Sequence, residues 1–441
     1  MTLYDVAHSC RRDALQDGLP LWMAVVGLTD AYLHAKMSAS AYTSSVARLA
    51  QRVGDGQAAG AARGDVAAIF ARRRLAYLHD TRFFLLRHWS PYDSIAYAPH
   101  CAARLRTWSD GGRKVLDRLF AELGVPLAEA KAPFVHMSPS AKAALMGDRL
   151  ADVAASYGLD GDQDLRFWTF HRSGGPGLND VSAADMALGV TALLEEGAPA
   201  PEAGGGEAGD AGGGAPGEGV PGSGGHQAGF ASALAALADA NVAILRRGIA
   251  AAQRLQAAVV RCGGGAIAHD KVANAGAFRV LNMATGLHGT PGSSRASSRE
   301  AACAVAAAAV CAASSQDVAQ VLAHPQALLR LGLFIQEALY AQRRARKPLV
   351  LAAPALTGGE EPQDQVWCHV IGVTAPVPSA SDAAGNRFSL AFRAAASACG
   401  APFVHDAFDA ACISVAAHKL STFLEAVQSE LDQLAAAQAA L

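Results

Sequence analysis

Apolar and polar positions follow two textures along this chain, and the texture changes near residue 200. Upstream the spacing is helical. MAVVGLTDAYLHAKM, from Met23, predicts a short buried segment running into a helix. In RRRLAYLHDTRFFLLRHW, residues Leu75, Leu78, Arg82, Leu85 and Trp89 recur at helical intervals, predicting one amphipathic helix over 72–89. GGRKVLDRLFAELGVPL repeats the pattern through Val115, Leu116, Leu119, Phe120 and Leu123, then stops at Gly124 with Pro126 following. Further helices fit 139–156 and 181–196, and GDGQAAG at 54–60 marks a loop between helices.

Downstream, the alanine-rich run 230–262 predicts one long helix, since alanine is the strongest helix former. AFRVLNM, KPLVLAAP, VWCHVIGV and ACISVAA are short apolar or β-branched runs bounded by Gly, Pro or Asp, and read as strands. NRFSLAFRAAASAC and KLSTFLEAVQSELDQLAAAQ read as amphipathic helices. The second half is therefore an α/β domain with a mixed sheet flanked by helices.

Between the two textures lies a compositional break. Residues 201–230 hold 13 of the chain's 44 glycines, and no Lys or Arg occurs between Arg172 and Arg246 while nine acids do. Such a stretch buries too little apolar surface to offset its ordering entropy, so it reads as a flexible acidic linker.

At 441 residues and 51% hydrophobic composition the chain is globular and long enough for two or three domains. A formal charge of -2 argues against a protein that coats nucleic acid by bulk charge and leaves local basic patches open. The longest apolar stretch, 301–313, is too short to span a bilayer, and the start shows no cationic segment followed by an apolar one. The eight cysteines form no CxxC pair and read as reduced core residues.

No constellation is complete enough to catalyse. Asp160, Asp162 and Asp164 resemble the opening of a calcium loop, but Leu165 and His171 stand where Gly and Glu are needed. Walker, HExxH and GxSxG motifs are absent. His369 beside Cys368 reads as a packed strand pair, and His405, Asp406 and Asp409 as turn and cap residues. The one charge asymmetry is at 63–118, with eleven Lys/Arg against five Asp/Glu. Arg72, Arg73, Arg74, Arg82 and Arg87 are the candidate nucleic-acid or partner surface, and Phe83, Phe84, Trp89, Tyr92, Tyr97 and Trp108 are interleaved with that region. The alternative is an aromatic core under a solvated arginine face.

Three stretches together resemble the cell division control protein 45 family, eukaryotic replication factors descended from the RecJ/DHH phosphoesterases. They are LWMAVVGLTDAYLHAKM at 21–37, the segment 77–127 with its HWS, DS, AARL and RTW elements, and 347–417 with KPLVLAAPALTGG, VIGV, NRFSLAFRAAASA and HDAFDAACISVAA. The resemblance implies an α/β (mixed α+β) chain in four parts. These are a C-terminal remnant of a DHH-like domain at 1–60, a family-specific helical region at 61–198, a flexible acidic Gly/Pro-rich linker at 199–228, and a DHHA1-like α/β domain at 229–441. Most of the N-terminal DHH-like domain, with the first three superfamily motifs, is then missing from this chain. There is no DHH triplet, and only Asp30 matches a superfamily metal ligand, that of the fourth motif. Two-metal phosphoester chemistry needs several carboxylates and histidines, so the expectation is a non-enzyme with no cofactor and no catalytic residue. By resemblance it is a nuclear subunit of the replicative helicase. It would bridge the minichromosome maintenance ring and the GINS complex, with the replicative polymerase and single-stranded DNA as further partners and no membrane. The alternatives are a DHH-family phosphoesterase or exonuclease, and a generic interaction module.

Overall fold

In the computed structural model, residues 19–34, 36–62, 75–159, 165–173, 180–196, 223–237, 241–276, 278–284, 305, 307–322, 325–345, 347–355, 367–374, 388–405 and 411–439 are described. Helices α1 (Leu19–Leu33) and α2 (Ala39–Ala62) open the fold, followed by strand β1 (Leu75–Thr81). Helices α3 (Pro91–Tyr97), α4 (Pro99–Leu105) and α5 (Asp110–Leu123) come next, then α6 (Leu127–Ala130), α7 (Pro139–Met146) and α8 (Asp148–Ser156). Strands β2 (Arg166–Arg172) and β3 (Val181–Ser182) run into α9 (Ala183–Glu196), and α10 (Ser223–Ala236) and α11 (Val242–Ala268) lead into the second half. There β4 (Ala273–Ala275), β5 (Phe278–Asn282), α12 (Ser315–Leu322), α13 (Pro325–Ala341), β6 (Leu349–Pro354), β7 (Trp367–Val373), α14 (Phe388–Ala398), β8 (Phe403–His405), β9 (Cys412–Ala416) and α15 (Leu420–Ala439) complete the order.

Local chemistry explains most boundaries. Proline stands at the first position of α3, α4 and α7, where its missing N–H costs nothing. Ser109 caps α5 by accepting from the Gly112 N–H at 3.1 Å, and Gly124 closes the helix at φ 75, a conformation that L side chains rarely adopt. The expected strands at 278–282, 349–354, 367–373 and 412–416 all form. They build a six-stranded sheet in the order β4-β5-β6-β7-β9-β8, parallel between β5 and β6 and otherwise antiparallel. Every residue of β6 is buried, as its uninterrupted apolar sequence requires of a central strand.

Four local expectations are corrected. Residues 75–81 are not part of a helix: they form β1, which pairs antiparallel with β2 from Leu75 opposite Arg172 to Thr81 opposite Arg166, in a three-stranded sheet β1-β2-β3. The helical spacing there is overridden by a partner strand far away in sequence. The expected loop at 54–60 lies inside α2. The single helix over 139–156 is two, broken at extended Gly147. The long helix over 230–262 is also two, α10 and α11, and α10 begins at Ser223, so the described end of the acidic stretch is helical.

The buried apolar residues form three clusters, the second of which joins Ala102 and Ala103 of the first half to α11, α12, α13 and the large sheet. Helix α11 is buried along most of its length and packs against α9, α12 and α13. Its glycine triplet makes this approach possible: a Cβ at Gly264 would lie 2.3 Å from Trp108 Cγ, so only glycine fits there. Helix α13 turns Leu331, Phe334 and Ile335 into the same core as Leu349, Leu351 and Ile371 of the large sheet. Its polar positions meet helices α1, α4 and α9 of the first half.

Candidate functional site

Of the five arginines expected to form a basic surface at 72–87, only Arg82 and Arg87 are described. Arg72, Arg73 and Arg74 lie outside the described residues. Arg87 does not face solvent: its side chain is 15% exposed, with Nη2 3.0 Å from Asp80 Oδ1 and Nη1 3.5 Å from Asp185 Oδ2. Arg82 is half-buried, its guanidinium 4.8 Å from the centre of the Tyr32 ring. The placement of Arg87 has a simple cause. As a strand, 75–81 brings Asp80 to the end of the small sheet, and the tight turn after it folds Arg87 back onto that carboxylate.

The Arg87 cluster is a small buried electrostatic core. Ser182 Oγ accepts from the Asp185 N–H while Asp185 Oδ2 accepts from the Ser182 N–H, both at 3.1 Å, a reciprocal cap on α9. His88 Nε2 sits 3.5 Å from the same carboxylate oxygen. Burial pushes the Asp185 carboxyl up, but His88, Arg87 and the Ser182 N–H outweigh it and hold the group well below the ordinary aspartate range. Arg87 is likewise depressed by burial but raised overall by Asp80 and Asp185. His171, opposite Ser182 across β2 and β3, is pushed down chiefly by burial. The sequence signal for this cluster was the capping pattern Ser182-Ala183-Ala184-Asp185, which the reading of 181–196 as a helix passed over.

Asp30, the single match to a metal ligand, is engaged by its neighbours. Its Oδ1 lies 3.1 Å from His34 Nδ1 and accepts from Thr191 Oγ1 at 3.3 Å. Burial raises the Asp30 carboxyl, and the His34 hydrogen bond and charge, with Thr191 and Lys36, lower it below its usual value. Arg330 of α13 donates from Nε to His34 Nε2 at 3.3 Å, and its Nη1 stands 3.7 Å from Glu195 Oε2. Among the described residues no group of three or more His, Cys, Asp or Glu is placed to hold a metal ion. The Asp160, Asp162 and Asp164 triplet and Asp406 and Asp409 lie outside the described residues. His369 Nδ1 pairs with Ser414 Oγ at 2.9 Å across β7 and β9, beside buried Cys368.

The interleaved aromatics are largely structural. Phe83, Phe84 and Tyr92 are buried, Trp89 stacks on Tyr97 at 5.4 Å, and Trp108 meets Phe334 edge-on at 5.7 Å. The open rings are elsewhere: Trp168, 40% exposed, lies over His79 at 3.8 Å and Tyr77 at 4.9 Å between ring centres. The sequence reading named none of these three as a surface group: it placed Tyr77 and His79 in a helix and read no strand at Arg166–Arg172. Among the described residues no helix is long and apolar enough to cross a membrane.

Comparison with known proteins agrees with the fold. The CDC45 family model matches residues 1–430. The chain is 26% identical to the mouse cell division control protein 45 homolog over 435 residues, covering 98% of this chain and 65% of the mouse protein. It is 34% identical over 202 residues to the Schizosaccharomyces pombe homolog, covering 44% of this chain and 30% of that protein. The chain thus spans less than two thirds of the length of these relatives. The crystal structure of CDC45 from Entamoeba histolytica superimposes with a TM-score of 0.58 at 17% identity, over 93% of this chain and 68% of that one, which establishes the likeness of fold. From motifs, architecture and the match over nearly its whole length, the chain belongs to the CDC45 family.

Proposed function

We propose that this chain is a non-catalytic subunit of the eukaryotic replicative helicase, acting in the nucleus in initiation and elongation of DNA replication. It would join the minichromosome maintenance ring to the GINS complex. The family match over residues 1–430 carries the reading and supports a role in DNA replication and the cell cycle. The state of Asp30 supports the non-catalytic part. Its carboxylate is bound by His34 and Thr191, and no second described carboxylate joins it in a metal-binding group. Two-metal hydrolysis needs ions about 3.5–4 Å apart, held by several such ligands. The replicative polymerase and single-stranded DNA are further proposed partners.

The test has two arms. Purified chain, immobilised, should retain the purified ring and purified GINS, each tested alone. With Mg²⁺ or Mn²⁺ it should hydrolyse neither single-stranded DNA nor a phosphodiester reporter. Metal-dependent turnover that disappears in Asp30→Ala would favour the phosphoesterase alternative instead.

A further inference from the structure

Two free thiols from distant points of the sequence meet inside the second half. Cys262 lies on α11, and Cys311 ends the helical turn that precedes α12; both are fully buried and belong to one apolar cluster. Three contacts fix their approach. The thiols hydrogen-bond to each other. One turn further along α11, a Cβ at Gly265 would lie 1.8 Å from the Cys311 carbonyl oxygen, so the backbone at Cys311 rests directly on the helix. One residue before Cys262, Arg261 grips Asp317 of α12, with Nε 2.9 Å from Oδ2 and Nη2 donating to Oδ1.

While this packing is closed the pair stays reduced. The Cys311 thiol and burial push the Cys262 thiol far above the usual range, and the thiolate is the form that reacts. The packing also has a weak point. Ala312, directly after Cys311, takes φ 46, a left-handed conformation that costs a residue with a side chain strain. The fastening outside it, Arg261 on Asp317, has its arginine side chain 43% exposed, and ion pairs in contact with water hold weakly. Strained backbone and a half-open fastening together mark 311–317 as a segment that opens locally while the rest of the core stays folded.

We infer that Cys262 and Cys311 are a modification site: a latent disulfide that forms when this turn opens to glutathione disulfide and that then pins α12 to α11. On opening, the Cys311 thiolate attacks one sulfur of the oxidant and expels a glutathione thiolate, leaving a mixed disulfide. The Cys262 thiolate then attacks the Cys311 sulfur and expels the second glutathione. Two electrons pass from the cysteine pair to the oxidant, and the two cysteine protons end on the two released glutathiones. Because α11 also packs against α9 and α13, the bridge ties α12 to the helix that runs between the halves. This goes beyond the helicase reading and does not depend on it.

The full chain is incubated with glutathione disulfide in native buffer and in urea just below its unfolding transition. Remaining thiols are blocked with N-ethylmaleimide under denaturing conditions, and the non-reduced digest is read by mass spectrometry. The expected product is one peptide pair joining Cys262 to Cys311, lighter by two hydrogens than its reduced peptides together and separated by dithiothreitol. Arg261→Ala, at a half-exposed position that tolerates the change, should speed its formation by about threefold, the scale of a surface ion pair. Amides of 312–317 should exchange more slowly in the bridged chain than in the reduced one. Recovery of both cysteines as maleimide adducts under both conditions overturns the inference, as does their recovery as separate glutathione adducts. So does a bridge from Cys262 to Cys101 or Cys303 in place of Cys311. An Arg261→Ala variant that oxidises no faster than the parent overturns the turn at 311–317 as the gate.

Discussion

Arg330 and Glu195 face each other at 3.7 Å, each side chain 7% exposed, and neither the Nη atoms of one nor the carboxylate oxygens of the other has a hydrogen-bond partner. The pair joins α13, which is packed on the large sheet, to α9, which is packed on the first half. A buried ion pair supported only by the Arg330 Nε bond to His34, with its Nη atoms and carboxylate oxygens unbonded, returns little of its desolvation cost. Arg330→Met alone should therefore cost about 3 kcal/mol by leaving Glu195 buried without its counter-charge. The double variant Glu195→Leu with Arg330→Met should restore stability to within about 1 kcal/mol of the parent or exceed it. Urea denaturation of the three proteins checks this, and a double variant less stable than Arg330→Met would sink it.

The same pair has a pH signature. Burial raises the Glu195 carboxyl, an effect that Arg330 counters only in part. The folded state then holds this proton more tightly than the unfolded state. Its stabilising preference is full below the ordinary glutamate range and is lost as pH rises through the raised folded value. Glu195→Gln should accordingly gain stability relative to the parent as pH rises from about 4 to about 8. A parent-minus-variant difference that stays flat across that range would remove Glu195 from the account.

Asp185 behaves in the opposite sense. Its folded carboxyl is held below the unfolded value, so its contribution is present above the ordinary aspartate range and fades as pH falls toward the folded value. Asp185→Asn should lose about 2–3 kcal/mol at neutral pH, the scale of hydrogen bonds to a charged group, and progressively less in acid. Thermal unfolding of parent and variant at a series of pH values measures the convergence. Parallel curves would contradict it.

What was legible in the sequence and what was not divides along local and distant causes. Helix α5 was readable because its cap Ser109, its apolar stripe and Gly124 all lie within one segment. The central strands were readable because burial on both faces leaves uninterrupted apolar runs such as Leu349–Pro354. Strand β1 was misread because Leu75 and Leu78 fit a helix as well as a strand, and β2, which decides the matter, lies 85 or more residues downstream. Arg87 passed for a surface group for the same reason, since Asp185 reaches it only through the tertiary fold. The Asp30 cluster was half visible: the residue was picked out, but Arg330 and Glu195 come from distant helices with no shared motif.

Gly264 gives a test of the packing between the halves. An added Cβ would meet Trp108 Cγ at 2.3 Å, inside a helix that is buried at that point. Gly264→Ala removes conformational freedom from the unfolded chain, worth about 1 kcal/mol in an open helix, yet here overpacking should win by about 2 kcal/mol or more. Lowered thermal stability with reduced near-ultraviolet dichroism from Trp108 is the expected result, and a more stable variant would show that the helix is not held against that ring.

The central claim is that the chain bridges two assemblies, and sedimentation velocity tests it most directly. Purified minichromosome maintenance ring and purified GINS are mixed with and without the chain, at a concentration where ring and GINS alone do not associate. The account predicts a single faster boundary containing all three only when the chain is present. Ring, GINS and chain sedimenting as they do separately, or GINS joining the ring equally well without the chain, would contradict it.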